Sequence, residues 1–223
     1  MGLWFHLANF LILLKGLLPF NTTILWSLAI EEQFYLLWPL LVFSIDKEKI
    51  IKFCIVYLIA APFIRLIIFL HYPNIDLNVF TPTRLDGFMV GALLSISFWK
   101  GENNWIGLKK IVLISFVFSF AFLLLIMICN SGFLYHLWYF RIFGYLMISI
   151  FYGSLLYYSI NLSSSNKFYK IFTNNTIKLV AKHSYVMYLV HSPLNWIFIN
   201  QSAINFFFKN FLTVCLLSFL ICF

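Results

Sequence analysis

The chain has 223 residues, of which 63% are hydrophobic, 21% aromatic and only 10% charged, with a formal net charge of +8. A soluble domain carries about a quarter charged residues, so this composition cannot cover a water-facing surface and excludes a soluble enzyme or binding module. At ~20 apolar residues per spanning helix, the length fits a polytopic bundle in the bilayer and leaves no room for a soluble domain longer than a loop.

In chain order, the first apolar stretch, Leu3 to Phe20, is broken by Lys15 and Gly16 and reads as an interfacial or re-entrant helix rather than a span. Apolar runs bounded by polar clusters then predict seven spans, at about 24–45, 51–71, 84–99, 110–130, 140–161, 183–200 and 206–223. The expected fold is all-α, one transmembrane domain over 1–223. No basic leader or small-residue cleavage site precedes the first stretch, and a true amino terminus is expected to be missing.

Cytoplasmic loops collect Lys and Arg. Lys47, Lys49 and Lys52 fall in one connection, Lys100, Lys109 and Lys110 in a second, and Lys167, Lys170, Lys178 and Lys182 in a third. This alternation accounts for the positive charge without a nucleic-acid partner. It turns the connections around Asn21 to Thr23, His71 to Thr83, Ser131 to Phe140 and Gln201 to Asn205 outward, with Phe133, Tyr135, Trp138 and Tyr139 as an interfacial aromatic belt. Cys54, Cys129, Cys215 and Cys222 sit in apolar runs without metal-ligand spacing and read as small core residues.

A charge at the bilayer centre costs roughly 2.5–3.5 kcal/mol on insertion scales, so charges kept there are functional or paired. Three constellations stand out. The first is Trp26-Ser-Leu-Ala-Ile-Glu-Glu-Gln-Phe-Tyr35, with two adjacent carboxylates inside an apolar helix. Neighbouring residues point about 100° apart. Glu31 shares a stripe with Ser27, Tyr35 and Trp38, whereas Glu32 is flanked by Leu28 and Leu36, so Glu31 is the candidate site carboxylate. It lies ~10 Å below the outer end of its span at 1.5 Å per residue.

The second constellation is Thr83-Arg84-Leu-Asp86-Gly-Phe-Met-Val-Gly91-Ala-Leu-Leu-Ser95. Gly87, Gly91 and Ser95 recur every four residues, the pattern that lets helices pack closely. Arg84 and Asp86 stand at the outer mouth, either to bind an anionic or polyhydroxylated group or, for Arg84, as a snorkelling anchor. Arg65 lies deeper, at about the depth of Glu31 by helix rise, and is expected to pair with it. The third is His183-Ser-Tyr-Val-Met-Tyr188-Leu-Val-His191-Ser-Pro193-Leu-Asn195. Ser184, Tyr188, His191 and Asn195 line one face, and His191 there is either a satisfied structural residue or a proton handler. The sidedness lets all three converge on one cavity in the outer half of the bundle. No metal-ligand set, phosphate-binding loop or serine-hydrolase motif occurs.

The segments Leu25 to Leu41, Arg84 to Leu94 and Ser184 to Leu194 resemble three successive signature segments of the membrane acyltransferase-3 family. The resemblance implies an enzyme of the bacterial cytoplasmic membrane, typically with ten helices. Such an enzyme moves an acyl group, often acetyl, from a cytoplasmic thioester such as acyl-CoA onto a hydroxyl of a cell-surface polysaccharide or glycolipid, with no bound cofactor. Glu31 matches the family's constant acid, and Arg84, Asp86 and His191 carry over in the same way. The expected site is then Glu31 and His191 as catalytic groups, with Arg84, Asp86, Tyr35, Arg65 and Tyr188 against the substrate. The resemblance implies first helices bearing an Arg, the His that serves as the family's catalytic base and a Ser-Gly segment, and these have no counterpart here. The chain is therefore expected to be a carboxy-terminal portion, inactive alone, with the lipid bilayer, the glycan acceptor and an upstream fragment as partners. The rival reading is a transporter or flippase of a glycolipid or acylated intermediate, weakened by the lack of an inverted repeat.

Overall fold

The computed structural model describes residues 7–15, 25–73, 75–99, 106–129 and 137–199, and every regular element among them is helical. In hydrocarbon a helix satisfies its own backbone donors and acceptors, which no isolated strand can do. The α-helices are α1 (Ala8–Lys15), α2 (Leu25–Ser44), α3 (Lys47–His71), α4 (Asp86–Trp99), α5 (Ile106–Cys129), α6 (Tyr145–Ile160), α7 (Lys167–Phe172) and α8 (Asn175–Ile199). A 3-10 turn, Thr81–Thr83, leads into α4, and a π-turn, Phe140–Gly144, leads into α6. Three of the described helical stretches are long and apolar enough to cross a membrane: Lys47–His71, Leu108–Cys129 and Phe140–Ile160.

These helices fall where the apolar runs put them, with shifted ends. α3 starts at Lys47, because a lysine-rich first turn is helical as readily as an apolar one once Asp46 turns the chain: its carbonyl accepts from Lys49 and Ile50 at 2.9 and 3.0 Å. The basic stretch read as a loop over Lys167 to Lys182 is instead α7 and the first turns of α8. Hydropathy marks where a helix can meet lipid, whereas backbone hydrogen bonding carries it beyond. The expected span at 206–223, Phe133 and Tyr135 of the expected aromatic belt and the flanks of α1 lie outside the described residues.

The chain groups into two compact units, residues 29–161 and residues 1–28 with 162–223. In the first, Ile50 and Cys54 of α3 and Met89 of α4 form a buried cluster, against which Phe34, Trp38 and Leu41 of α2 pack. Phe116 and Phe120 of α5 stack on Phe151 of α6, with centroids 5.4 and 6.0 Å apart. The outer faces carry large apolar side chains: Phe43 is 90% exposed, Leu36 71% and Ile128 67%. Such a surface would aggregate in water and suits a lipid environment.

The close helix approach expected along Gly87, Gly91 and Ser95 occurs elsewhere. A Cβ at Gly91 would meet no atom within 4 Å, and one at Gly87 would make only ordinary contact with Ser149. The tight spot is Gly153 on α6, where a Cβ would overlap Val90 of α4. In the second unit, the Asn166 side chain caps α7 by accepting from the Phe168 N–H at 2.9 Å, the arrangement that satisfies an orphan helix donor.

Candidate functional site

Arg65 organises one end of the 29–161 unit. It sits six residues before the end of α3 with 0% exposure, where a charge is costly unless paired and hydrogen-bonded. Both conditions are met. Its Nη2 donates to Asp86 Oδ2 at 2.5 Å and to the Thr83 carbonyl at 2.6 Å, Nε donates to the same carbonyl at 3.0 Å, and Nη1 donates to the Ile142 carbonyl at 3.1 Å. One guanidinium thus ties the C-terminal part of α3 to the N-terminus of α4 and to the middle of the π-turn. Its carboxylate partner is Asp86 and not the expected Glu31. Both charges need a near partner, and Asp86 is brought in by the turn at Thr83. Asp86 is 1% exposed, so it is packed beneath the surface rather than standing at an outer mouth, and its Oδ1 also accepts from the Gly87 N–H at 3.1 Å.

The chain before α4 is pinned by side chains from several helices. Tyr57 donates to the Pro82 carbonyl at 2.6 Å, and Thr83 Oγ1 donates to the carbonyls of Leu77 and Phe80 at 2.5 and 2.6 Å. Arg141, on the π-turn, donates to the carbonyls of Pro73 and Ile75 at 3.3 and 2.6 Å, and its guanidinium lies 5.1 Å from the Phe69 ring centroid. A connection whose carbonyls are taken up this way is an ordered platform. It carries Arg84, half-buried, with its guanidinium carbon 4.7 Å from the centroid of the Tyr145 ring.

The helix bearing the paired acids packs beside this platform. Thr81 Oγ1 donates to Gln33 Oε1 at 2.7 Å, and the Phe34 ring stacks on Phe88 of α4 with centroids 4.4 Å apart. The first two signature segments are therefore neighbours. Glu31 is half-buried two residues before Gln33, and Tyr35 is 64% exposed. In the other unit, Tyr188 of α8 hydrogen-bonds through its hydroxyl with Ser27 Oγ. The His191 backbone continues α8, and its side chain lies outside the described residues, as does that of Asn195.

Tyr57, Arg141 and Tyr145 lie outside the three constellations, and Gln33 and Thr83, inside them, carry no expected site role. Thr83 and Arg141 act largely on backbone carbonyls, which leave no trace in residue patterns. Tyr145 is one aromatic among many in a chain with 21% of them, and only its position between two arginines distinguishes it.

The family model described as an acyltransferase domain matches residues 2–223. The chain is 32% identical over 186 residues to the O-acetyltransferase OatA of Staphylococcus aureus strain NCTC 8325 / PS 47, covering 79% of this chain and 30% of that protein. It is 30% identical over 181 residues to the putative O-acetyltransferase SACOL0978 of Staphylococcus aureus strain COL, covering 75% of this chain and 28% of that protein. The chain thus spans about 30% of the length of the relatives it matches. No solved structure matches.

Proposed function

The chain belongs to the acyltransferase-3 family, and from that premise we propose that it serves O-acyl transfer in a bacterial cytoplasmic membrane. The group moved is an acyl, often acetyl, carried by a thioester such as acyl-CoA on the cytoplasmic side. The acceptor is a hydroxyl of a cell-surface polysaccharide or glycolipid. The helices cross the bilayer in a multi-pass arrangement of about seven spans, oriented by their basic connections.

In this reaction the acceptor oxygen attacks the thioester carbonyl, the new O–C bond forms, the C–S bond breaks, and the hydroxyl proton leaves through a general base. Glu31 takes the proton-accepting or base-orienting role, since a carboxylate kept in a low-dielectric setting acts strongly on any group beside it. Arg84 positions the acceptor. The Arg65 and Asp86 pair holds the platform that carries Arg84, acting through backbone rather than on substrate.

One observation carries this reading. The Gln33–Thr81 hydrogen bond and the Phe34–Phe88 stack set the Glu31 helix directly against the Arg84 segment, which supports a shared site for the two. The test is to supply membranes from cells with and without the gene with labelled acetyl-CoA and to follow label into envelope glycans. Label that depends on the gene supports acyl transfer, and equal labelling refutes it.

A further inference from the structure

Two guanidiniums approach one ring in this structure. The Cζ of Arg84 lies 4.7 Å from the Tyr145 centroid and that of Arg65 lies 5.6 Å from it. Tyr145 is 6% exposed, and Phe140 meets it nearly edge-on, with centroids 5.6 Å apart and planes at 71°. A ring enclosed in this way does not swing. Two like charges beside it would repel one another, but Asp86, 2.5 Å from Arg65, offsets the inner one. The backbone at Arg84 is fixed as well: its N–H donates to the Thr81 carbonyl at 3.0 Å, and the carbonyl just before it receives two Arg65 N–H groups.

We propose that Tyr145 is a positioning residue for the acceptor. Its ring lies under the Arg84 guanidinium in a cation–π contact, which restricts where the N–H fork can reach. That fork is the geometry that binds hydroxyl-rich or anionic groups. A long side chain fixed before the acceptor arrives loses little freedom on binding it. The proposal rests on the reading that Arg84 handles the acceptor glycan, and its chemistry is that of the ring face rather than of the phenol hydroxyl.

The test uses cells carrying chromosomal variants of the full chain. It measures acetate released by alkali from envelope glycans, normalised to the membrane-located protein on immunoblots. Tyr145→Leu should lower gene-dependent acetate by about fivefold or more, and Tyr145→Phe should keep at least about half of it, because only the former loses the π face. Combining Tyr145→Leu with Arg84→Gln should lower acetate no further than Arg84→Gln alone. If Tyr145→Leu does not accumulate in the membrane, Tyr145→Met, which fills the volume without a π face, is compared instead with the same expectation. Normal acetate in the ring-deleted variant, or a Tyr145→Phe chain as depleted as it, overturns the proposal. Acetate that is independent of the gene, or unmoved by Arg84→Gln, instead refutes the underlying reading.

Discussion

Arg65 and Asp86, 21 positions apart on different helices, form an ion pair at 2.5 Å with side chains 0% and 2% exposed. The Arg65 guanidinium also donates to the Thr83 and Ile142 carbonyls. The pair therefore joins α3, α4 and the π-turn at the end of the unit where Arg84 sits.

Breaking this pair one partner at a time leaves a buried charge uncompensated, which costs about 3–5 kcal/mol. Asp86→Asn and Arg65→Met should each lower the thermal midpoint of the detergent-solubilised chain strongly, and the double variant should lose clearly less than their sum. Strict additivity would show that the two do not interact.

The contact between α4 and α6 turns on Gly153. Gly153→Ala should destabilise by roughly 1–3 kcal/mol through overlap with Val90, and Val90→Ala on that background should recover part of the loss. Gly91→Ala, with open space around it, should stay within about 0.5 kcal/mol of the parent. Thermal unfolding of the four chains in detergent checks the order.

Arg141 holds the Pro73 and Ile75 carbonyls. Hydrogen bonds from a charged donor contribute about 1.5–3 kcal/mol each when buried, and less where solvent competes. Arg141→Leu should therefore loosen the connection between α3 and α4 locally while leaving the helices formed. Faster hydrogen exchange at the amides of Ile75 and Val79, with unchanged exchange in α5, is the expected result.

The difference between the readable and the unreadable parts follows from their physics. Helix positions were legible because a run such as Ile50 to Leu70 has to satisfy its backbone internally in lipid. The proximity of the two signature segments was anticipated from sidedness, and Gln33 with Thr81 supplies the contact. The partner of Arg65 was not legible, because helix rise gives depth but not azimuth, and the turn at Thr81–Thr83 that delivers Asp86 depends on Thr83 bonding two carbonyls upstream. The small-residue stripe misled for the same reason: spacing identifies a face, while the neighbour it meets is decided by the whole packing arrangement.

The central claim is that the first acid of the doublet, and not the second, serves acyl transfer. The most direct measurement is gene-dependent, alkali-released acetate on envelope glycans in cells carrying Glu31→Gln or Glu32→Gln at equal membrane protein levels. Glu31→Gln should lower it by about 10²-fold or more, the scale of a lost general base, while Glu32→Gln should stay within about threefold of the parent. Wild-type acetate in the Glu31→Gln cells, or equal losses in both, would contradict the account.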